Sequence, residues 1–576
     1  MVIGFFPSSS SYYSLMPPTV AESATGIVFG LIVIWAVKRA ITYRRAIQLI
    51  RLPGYRNLGP DNSSLYGLIH AKLMQHIEDC HIFANQHLDY EHFGWDVISS
   101  ISWFTPKLRF FIADPAVFQR VGASRTVFTK SLEIYEAFNT FGRNILATEG
   151  AEWARHRKIT SRAFTEPNMQ MVWKQTTRIV QEMFESDWDH RGDVVALEDT
   201  LHTTTQLSML VIMAAGFGHD AQWMTHKTPP LGHVLTFRQA LQDVVDNIIL
   251  RASLPQWVWG SPADRDTLAV SGIAGRGWLG KKVQHAAIAF SELAKYMREM
   301  LREELSGVTD KASEREGGTL FRNLVDALVN EDGGIPSGKN DVFGNMFVFL
   351  FAGFETTAHS VTYALGLLAL DEAEQQRLYD HIKDVLQDRE PAFEDVPKLS
   401  RVLAVFYETL RLYPAAPEQT RDVEEDIVFS VQAALSESDV ANSATLGGKD
   451  ARRTEVLVPR GSEVIVDTVG LHHNPRYWPD SYTFKPDRFM DPNWPREAFT
   501  SFAAGSRSCM GRRFGEVEAI AIITLIIRRY RVSVDTVRFP DIAGETKLQH
   551  RERVLKSFMS LVIRPSGTIP LIFTRR

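Results

Sequence analysis

Two cysteines, Cys80 and Cys509, are all that 576 residues contain. So few thiols cannot make a disulfide framework, and an isolated pair cannot make a zinc site, which wants clustered ligands. The fold must therefore come from burial. A hydrophobic fraction of 45% against 23% charged residues is ordinary globular composition and supplies a large core. The shortage of cysteine fits a reducing compartment, such as the cytosolic side of a membrane. A net charge of −5 gives no basic signature for nucleic acid binding.

Cys509 has distinctive surroundings. Residues 502–511 read Phe-Ala-Ala-Gly-Ser-Arg-Ser-Cys-Met-Gly, a spacing of Phe502-x-x-Gly505-x-Arg507-x-Cys509-x-Gly511. The glycines let the backbone turn sharply and approach a flat group. Amides exposed by such a turn can hydrogen-bond a sulfur, and Arg507 is placed to pair with a carboxylate. Two readings stand: a buried structural cysteine acting as a small hydrophobe, or an axial thiolate on a haem iron, which favours O–O cleavage.

The N-terminus is not globular in pattern. No Lys or Arg occurs before Lys38, residues 24–37 are almost wholly apolar, and Lys38, Arg39, Arg44, Arg45, Arg51 and Arg56 follow. A signal peptide carries its charge ahead of the apolar run, whereas this flank predicts a cytoplasmic C-terminal side. A span needs roughly 20 residues, so the membrane helix is placed at about 20–37. Residues 1–45 are read as an anchor with its basic flank. Residues 46–64, with Leu52-Pro53-Gly54 and Gly59-Pro60, are read as a hinge, and 65–576 as one catalytic domain. The glycosylation sequon at Asn62 then faces the cytosol and is a chance match.

The body from about 65 to 425 is helical in pattern, with apolar-periodic stretches at 283–306 and 340–370. Strand-like runs occupy 425–432 and 455–467, separated by a polar insertion at 434–453. A helix at 512–530 follows Cys509. Inside the 340–370 stretch stands Ala352-Gly353-Phe354-Glu355-Thr356-Thr357. A glycine and an acid–alcohol pair contradict local helix preference. Gly353 permits a kink or the close approach of a ligand. The Thr356 hydroxyl can bond the carbonyl one turn back or face an opened groove. Cleaving dioxygen consumes protons, and a carboxylate with a hydroxyl is a suitable relay; a Glu salt-bridged to a neighbouring helix is the alternative. Glu408 and Arg411 share a helix face and can pair, with Arg488 as a further partner. Trp153 and Arg157 share a face in Trp-Ala-Arg-His-Arg and can both donate to one carboxylate.

Taken together, Phe502–Gly511, Ala352–Thr357, the Glu408, Arg411 and Arg488 set, and the Trp153/Arg157 helix resemble the cytochrome P450 superfamily of haem-thiolate monooxygenases. Their order and spacing match from about residue 50 onward. The anchor and hinge resemble a microsomal member, and the body resembles fungal members, particularly those of basidiomycete secondary metabolism. The resemblance implies a mainly α fold with small β-sheets, one catalytic domain behind an anchor in the endoplasmic reticulum membrane, crossing it once with the domain cytosolic. It implies haem b with Cys509 as the iron ligand and Phe502, Gly505 and Gly511 shaping its loop. Propionates would be held by Trp153, Arg157, Arg421 and Arg507, protons delivered by Glu355 and Thr356, and the Glu408–Arg411–Arg488 triad would be structural. One atom of O2 would enter a small lipophilic substrate, a terpenoid or another secondary metabolite. Electrons would come from NADPH through the flavins of a separate reductase. Substrate contacts are expected from Tyr135–Phe141, Phe347–Phe351 and Ala415–Gln419. A basic face of Arg155, Lys158, Arg162, Arg512 and Arg513 would steer the acidic reductase. The insertion at 434–453 is longer than usual for the family. The other readings are a reductase-independent haem-thiolate isomerase, dehydratase or peroxygenase, against which the Glu355–Thr356 pair argues, and a non-catalytic haem sensor.

Overall fold

The apolar stretch near 340–370 forms one unbroken helix of 32 residues, Lys339–Leu370, and the helical body is packed round it. The computed structural model describes residues 18–50, 52–57, 85–104, 107–219, 221–224, 228–259, 277–306, 319–331, 339–434, 453–559 and 561–576. The insertion therefore lies almost wholly outside the described residues, as do Cys80 and the sequon at Asn62. In chain order, the helices that position the site are α1 (Pro18–Leu49), α2 (Pro115–Ala123), α3 (Gly150–Ser161), α4 (Glu166–Ser186), α5 (Thr200–Val211), α6 (Phe237–Ser253), α7 (Lys339–Leu370), α8 (Ser400–Leu412) and α9 (Arg512–Arg529).

Helix α7 is apolar nearly all round, which is the pattern of a helix buried on every side. Phe347, Leu350, Phe354, Val361 and Leu368 are all at most 1% exposed. Helix α5 packs along it, joined by Thr204 and Thr362, whose hydroxyls are 2.6 Å apart. Beyond Val211 the helix widens into a π turn, Ile212–Gly216. That turn explains Gly353: a methyl group there would lie 2.9 Å from Ile212 Cδ1. The glycine admits the side chain of a neighbouring helix; α7 continues through it without a break.

The β structure stands to one side. A six-stranded sheet runs in the order β1 (Gly54–Asn57), β2 (Val97–Ser102), β3 (Arg109–Ile112), β9 (Glu463–Asp467), β6 (Glu418–Val423), β4 (Phe128–Lys130). Its inner face is a separate apolar cluster of Val97, Ile101, Phe110, Phe128, Val464 and others, with Ala46 at the end of α1 joining it. A hairpin pairs β7 (Ile427–Gln432) with β8 (Arg453–Val458). Three smaller-sheet strands are β5 (Val194–Leu197), β10 (Tyr530–Val534) and β13 (Leu571–Arg575), and β11 (Ser557–Met559) pairs with β12 (Ile563–Pro565).

Three sequence expectations shift. The run at 455–467 is two strands, because Pro459 to Ser462 turn the chain from the hairpin into the main sheet, with Gly461 at φ +80°. Strand β6 was not foreseen, since Glu-Gln-Thr-Arg-Asp-Val carries almost no apolar signal. Within 46–64, Gly54–Asn57 is an edge strand parallel to β2, and helix α1 runs on to Leu49. Among the described residues one helix is long and apolar enough to cross a membrane. Its span is Gly26–Leu49, with mean hydropathy 1.6 and its most apolar stretch unburied.

The Glu408–Arg411 pair is fully buried. Arg411 donates to Glu408 through Nε and Nη2 at 2.7 and 2.8 Å, and both side chains are 0% exposed. The remaining donors are used on the carbonyls of His472, Ser481 and Thr483. Glu408 also accepts from the Lys485 amide at 2.8 Å and from Arg488 Nε at 3.3 Å. Glu408→Ala strands this guanidinium in the core, and such a loss costs about 3–5 kcal/mol. We expect little soluble protein and an early thermal transition. Arg488→Ala should be milder, because Arg488 reaches Glu408 only from the edge; thermal unfolding of the two variants side by side checks the order.

Candidate active site

The loop before α9 is shaped around one sulfur. The Cys509 amide donates to the Phe502 carbonyl at 2.8 Å and closes the loop. Gly505 sits at φ +66°, where a methyl group would meet the Gly122 carbonyl oxygen at 2.2 Å. A side chain is excluded there on both counts. Helix α9 begins three residues after Cys509, so its first N–H groups and the positive end of its dipole point back at the sulfur. Burial raises the thiol pKa. The Gly511 and Arg512 amides, with the guanidiniums of Arg157 and Arg512, pull it back down. Cys509 is nevertheless an exposed residue, so its thiol is not sealed into the core.

A cluster of cations lies beside the loop. Arg507 donates to the Phe128 carbonyl at 2.8 Å and pairs with Glu149, and its Nε is buried with no partner among the described residues. Arg157 donates to the Ser508 carbonyl at 2.8 Å, which fixes the residue next to Cys509. Arg421 stands opposite Lys130 in the β4–β6 ladder, donates to the Thr420 carbonyl, and shares a small pocket with Arg507 and Gln419. Trp153 of α3 is buried, with the charged ends of Arg125, Lys130 and Arg507 over its ring at 5.8, 5.8 and 5.4 Å. Such placement is a cation–π arrangement. Lys130 was missed in the sequence, where Phe-Thr-Lys has no motif. Its ammonium donates to the carbonyls of Ile145, Leu146 and Thr148. Burial pushes its pKa down to about 7; Glu149 opposes that, and Arg507, Arg421 and Arg157 add to it.

On α7, Glu355 is 2% exposed and pairs through Oε1 with Arg564 of β12. Burial raises its carboxyl pKa, and Arg564 holds it back. The ion pair of the alternative reading is present, but its partner is a strand from late in the chain and not the neighbouring helix expected. Thr356 Oγ1 donates to the Ala352 carbonyl at 2.7 Å, the first of the two arrangements considered for it, but on an open side of the helix. A hydroxyl used as donor keeps its lone pairs for a groove partner. The expected substrate segments meet: Phe141 lies 4.7 Å from Phe347, and Phe138 lies 5.2 Å from Phe351. Phe349 points elsewhere, to Phe164 at 5.9 Å, a residue that also borders Gly511. The basic face is thinner than expected. Arg155 is paired with Asp341 and Arg512 with Glu516, while Lys158 and Arg162 stay exposed.

The family model for cytochrome P450 matches residues 101–432 and 448–555. The chain belongs to the cytochrome P450 family. A cytochrome P450 monooxygenase of Postia placenta is 34% identical over 95% of this chain and 98% of its own. One of Arthrobotrys oligospora is 27% identical over 74% of this chain and 75% of its own. A third, the phomenoic acid biosynthesis cluster P450 monooxygenase of Leptosphaeria maculans, is 24% identical over 77% of this chain and 76% of its own. The family implies a thiolate-ligated haem, O2 and a redox partner. The site fits a haem: an accessible thiol sits in a loop where Gly505 admits no side chain, and the cations beside it outnumber Glu149 and leave Arg507 Nε without a partner among the described residues. The break in the family match at 433–447 overlaps the expected insertion at 434–453.

Gly505→Ala should deform the loop of this P450, since the new methyl collides with backbone at Gly122. Haem content per protein should fall well below the parent, with Gly567→Ala, where nothing lies within 4 Å, as the unaffected control.

Proposed function

We propose that this P450 inserts one oxygen atom from O2 into a C–H bond of a small lipophilic substrate. Its electrons come from NADPH through the flavins of a separate reductase in the same membrane. The observation that carries the reading is the thiol of Cys509 in a loop framed by Gly505 and Gly511, with cations at its edge. Cys509 would ligate the iron of haem b. Trp153, Arg157, Arg421 and Arg507 would hold its propionates, and Lys130 joins them by position. Bound there, the haem supplies the activation of O2. Phe502 holds the loop through its carbonyl bond to the Cys509 amide and through its ring beneath Arg512, 5.2 Å away.

The protein's own contribution is binding and proton movement. Glu355 is the buried acid next to the groove, and Thr356 is the hydroxyl on the helix's open side. Phe138, Phe141 and Phe351, packed with the buried Phe347, make an apolar cluster beside α7 that favours a terpenoid or another secondary metabolite, and the Leptosphaeria maculans relative is named for a biosynthetic cluster. The apolar first part of helix α1, with Lys38, Arg39, Arg44 and Arg45 in the C-terminal part of the same helix, supports a single span in the endoplasmic reticulum membrane with the catalytic domain cytosolic. The Glu408–Arg411–Arg488 triad is structural in this reading.

Cys509→Ser should abolish the red-shifted Soret band of the reduced carbon monoxide complex, because a hydroxyl does not replace a thiolate donor. Cys80→Ser should keep it, and the opposite pattern would transfer the ligand to Cys80.

Thr356→Ala should keep haem and lose coupling. In reductase-containing microsomes supplied with a panel of terpene skeletons, NADPH consumption should persist while product falls and hydrogen peroxide rises. A general acid contributes about 10²–10⁴-fold, so the change should be plain. An unchanged ratio of product to NADPH would leave Thr356 as a helix residue bonded to Ala352.

A further inference from the structure

The partner of Glu355 has a second partner of its own. Arg564 Nη1 lies 3.0 Å from Asp246 Oδ1 on α6, while Nη2 pairs with Glu355 on α7. One guanidinium is therefore shared by two carboxylates of different setting. The Glu355 side chain is 2% exposed and that of Asp246 is 44% exposed. The sharing is incomplete on the buried side. Glu355 Oε2 and Arg564 Nε are both buried without a partner among the described residues. A buried carboxylate with one oxygen unbonded is poorly compensated, and it has a reason to turn or to take a proton.

The position of Arg564 makes this more than local compensation. It stands on β12, whose hairpin closes onto two parts of the substrate side. Ile563 donates to the carbonyl of Ala415, the start of an expected substrate segment, and Ser557 of β11 bonds the Tyr363 hydroxyl on α7. Asp246 belongs to α6, a different element. Glu355 is thus connected to solvent through a strand and a second helix.

We propose that Arg564 and Asp246 are positioning residues that govern the protonation of Glu355: Arg564 holds Glu355 as a carboxylate, and Asp246 draws the guanidinium away so that Glu355 can take a proton. The inference rests on the reading of Glu355 as a proton donor. Arg564 stays protonated throughout, as arginine does in proteins. The proton that leaves Glu355 Oε2 goes to the groove beside Thr356, and an equivalent one returns from solvent water to the carboxylate. No electrons move in this step. The charged and titratable groups around Glu355 are Arg564 on β12, Asp246 on α6 and His359 on α7 itself, whose Nδ1 lies 2.7 Å from the Glu355 carbonyl oxygen. Burial pushes the pKa of His359 down to about 4, so it adds no charge near neutral pH. Arg564 lowers the carboxyl pKa of Glu355 and Asp246 raises it, so the two variants must move it in opposite directions.

The test uses the haem-loaded full-length protein and two readouts. The first is infrared titration of the protonated carboxyl band that is missing in Glu355→Gln. The second is hydrogen peroxide released per NADPH consumed, with reductase and without added substrate. Arg564→Gln should raise the pH midpoint of the band by about 1–3 units, the size of a lost neighbouring charge. Asp246→Asn should lower it. Both should change the peroxide ratio, and the double variant should lie close to Arg564→Gln, because Asp246 acts mainly through Arg564 and only its weaker direct repulsion of the carboxylate remains. Arg564→Lys, which keeps the charge, should restore the midpoint partly. Unmoved midpoints in both single variants, or effects on the peroxide ratio that multiply in the double variant, overturn the proposal. Should Arg564→Gln fail to load haem, Asp246→Asn and Arg564→Lys decide by the same criteria. A peroxide ratio unchanged in Glu355→Gln would sink the reading of Glu355 itself, a result distinct from failure of the switch.

Discussion

The buried pairing of Arg411 with Glu408 is what the thiol loop depends on. Taking two charges out of water is unfavourable unless every donor and acceptor is used. Arg411 meets that demand by gathering the carbonyls of His472, Ser481 and Thr483, which draws the segment after β9 over α8. The requirement then passes to the next residues. The His472 ring accepts from the Thr500 amide at 2.9 Å and stacks on Phe499, 5.3 Å away. Ser501 donates to the Leu410 carbonyl. Residues 499–501 are the entry to the loop that carries Cys509. An ion pair that never meets solvent therefore sets the start of the loop, and the Phe502–Cys509 bond sets its end.

The cations near Trp153 follow a different logic. Arg157, Arg421, Arg507 and Lys130 come from a helix, a strand, a loop and a second strand. Like charges gathered in this way repel, which adds to the burial that chiefly lowers the pKa of Lys130. Carbonyls at Lys130, Glu149 at Arg507 and the indole face of Trp153 offset part of that repulsion. The rest is the positive charge that, in the function proposed above, the haem propionates would meet.

What could be read from the sequence was local. Phe502–Gly511, Ala352–Thr357 and Glu408–Arg411 each lie within one turn or one helix, where spacing fixes geometry. The long helix α7 was legible because it is apolar throughout. Partners supplied from far along the chain were not. Nothing in Ile-Arg-Pro marks Arg564 as the companion of Glu355, and nothing in Phe-Thr-Lys marks Lys130 as a neighbour of Arg507. Two local expectations also changed once packing was known. Gly353 makes room for Ile212, and Arg155 and Arg512 spend much of their charge on Asp341 and Glu516. Propensity and spacing describe a segment, whereas these outcomes depend on which surface another segment brings.

The distance between Glu355 and Arg564 along the chain has a consequence for biosynthesis. They are 209 residues apart. A ribosome adds about 5–20 residues per second, so the acid in the middle of α7 waits some tens of seconds for its counter-ion. During that interval the acid has no Arg564 to pair with. The central helix is thus made well before its counter-ion, which arrives on the short β11–β12 hairpin with only β13 among the described strands still to follow.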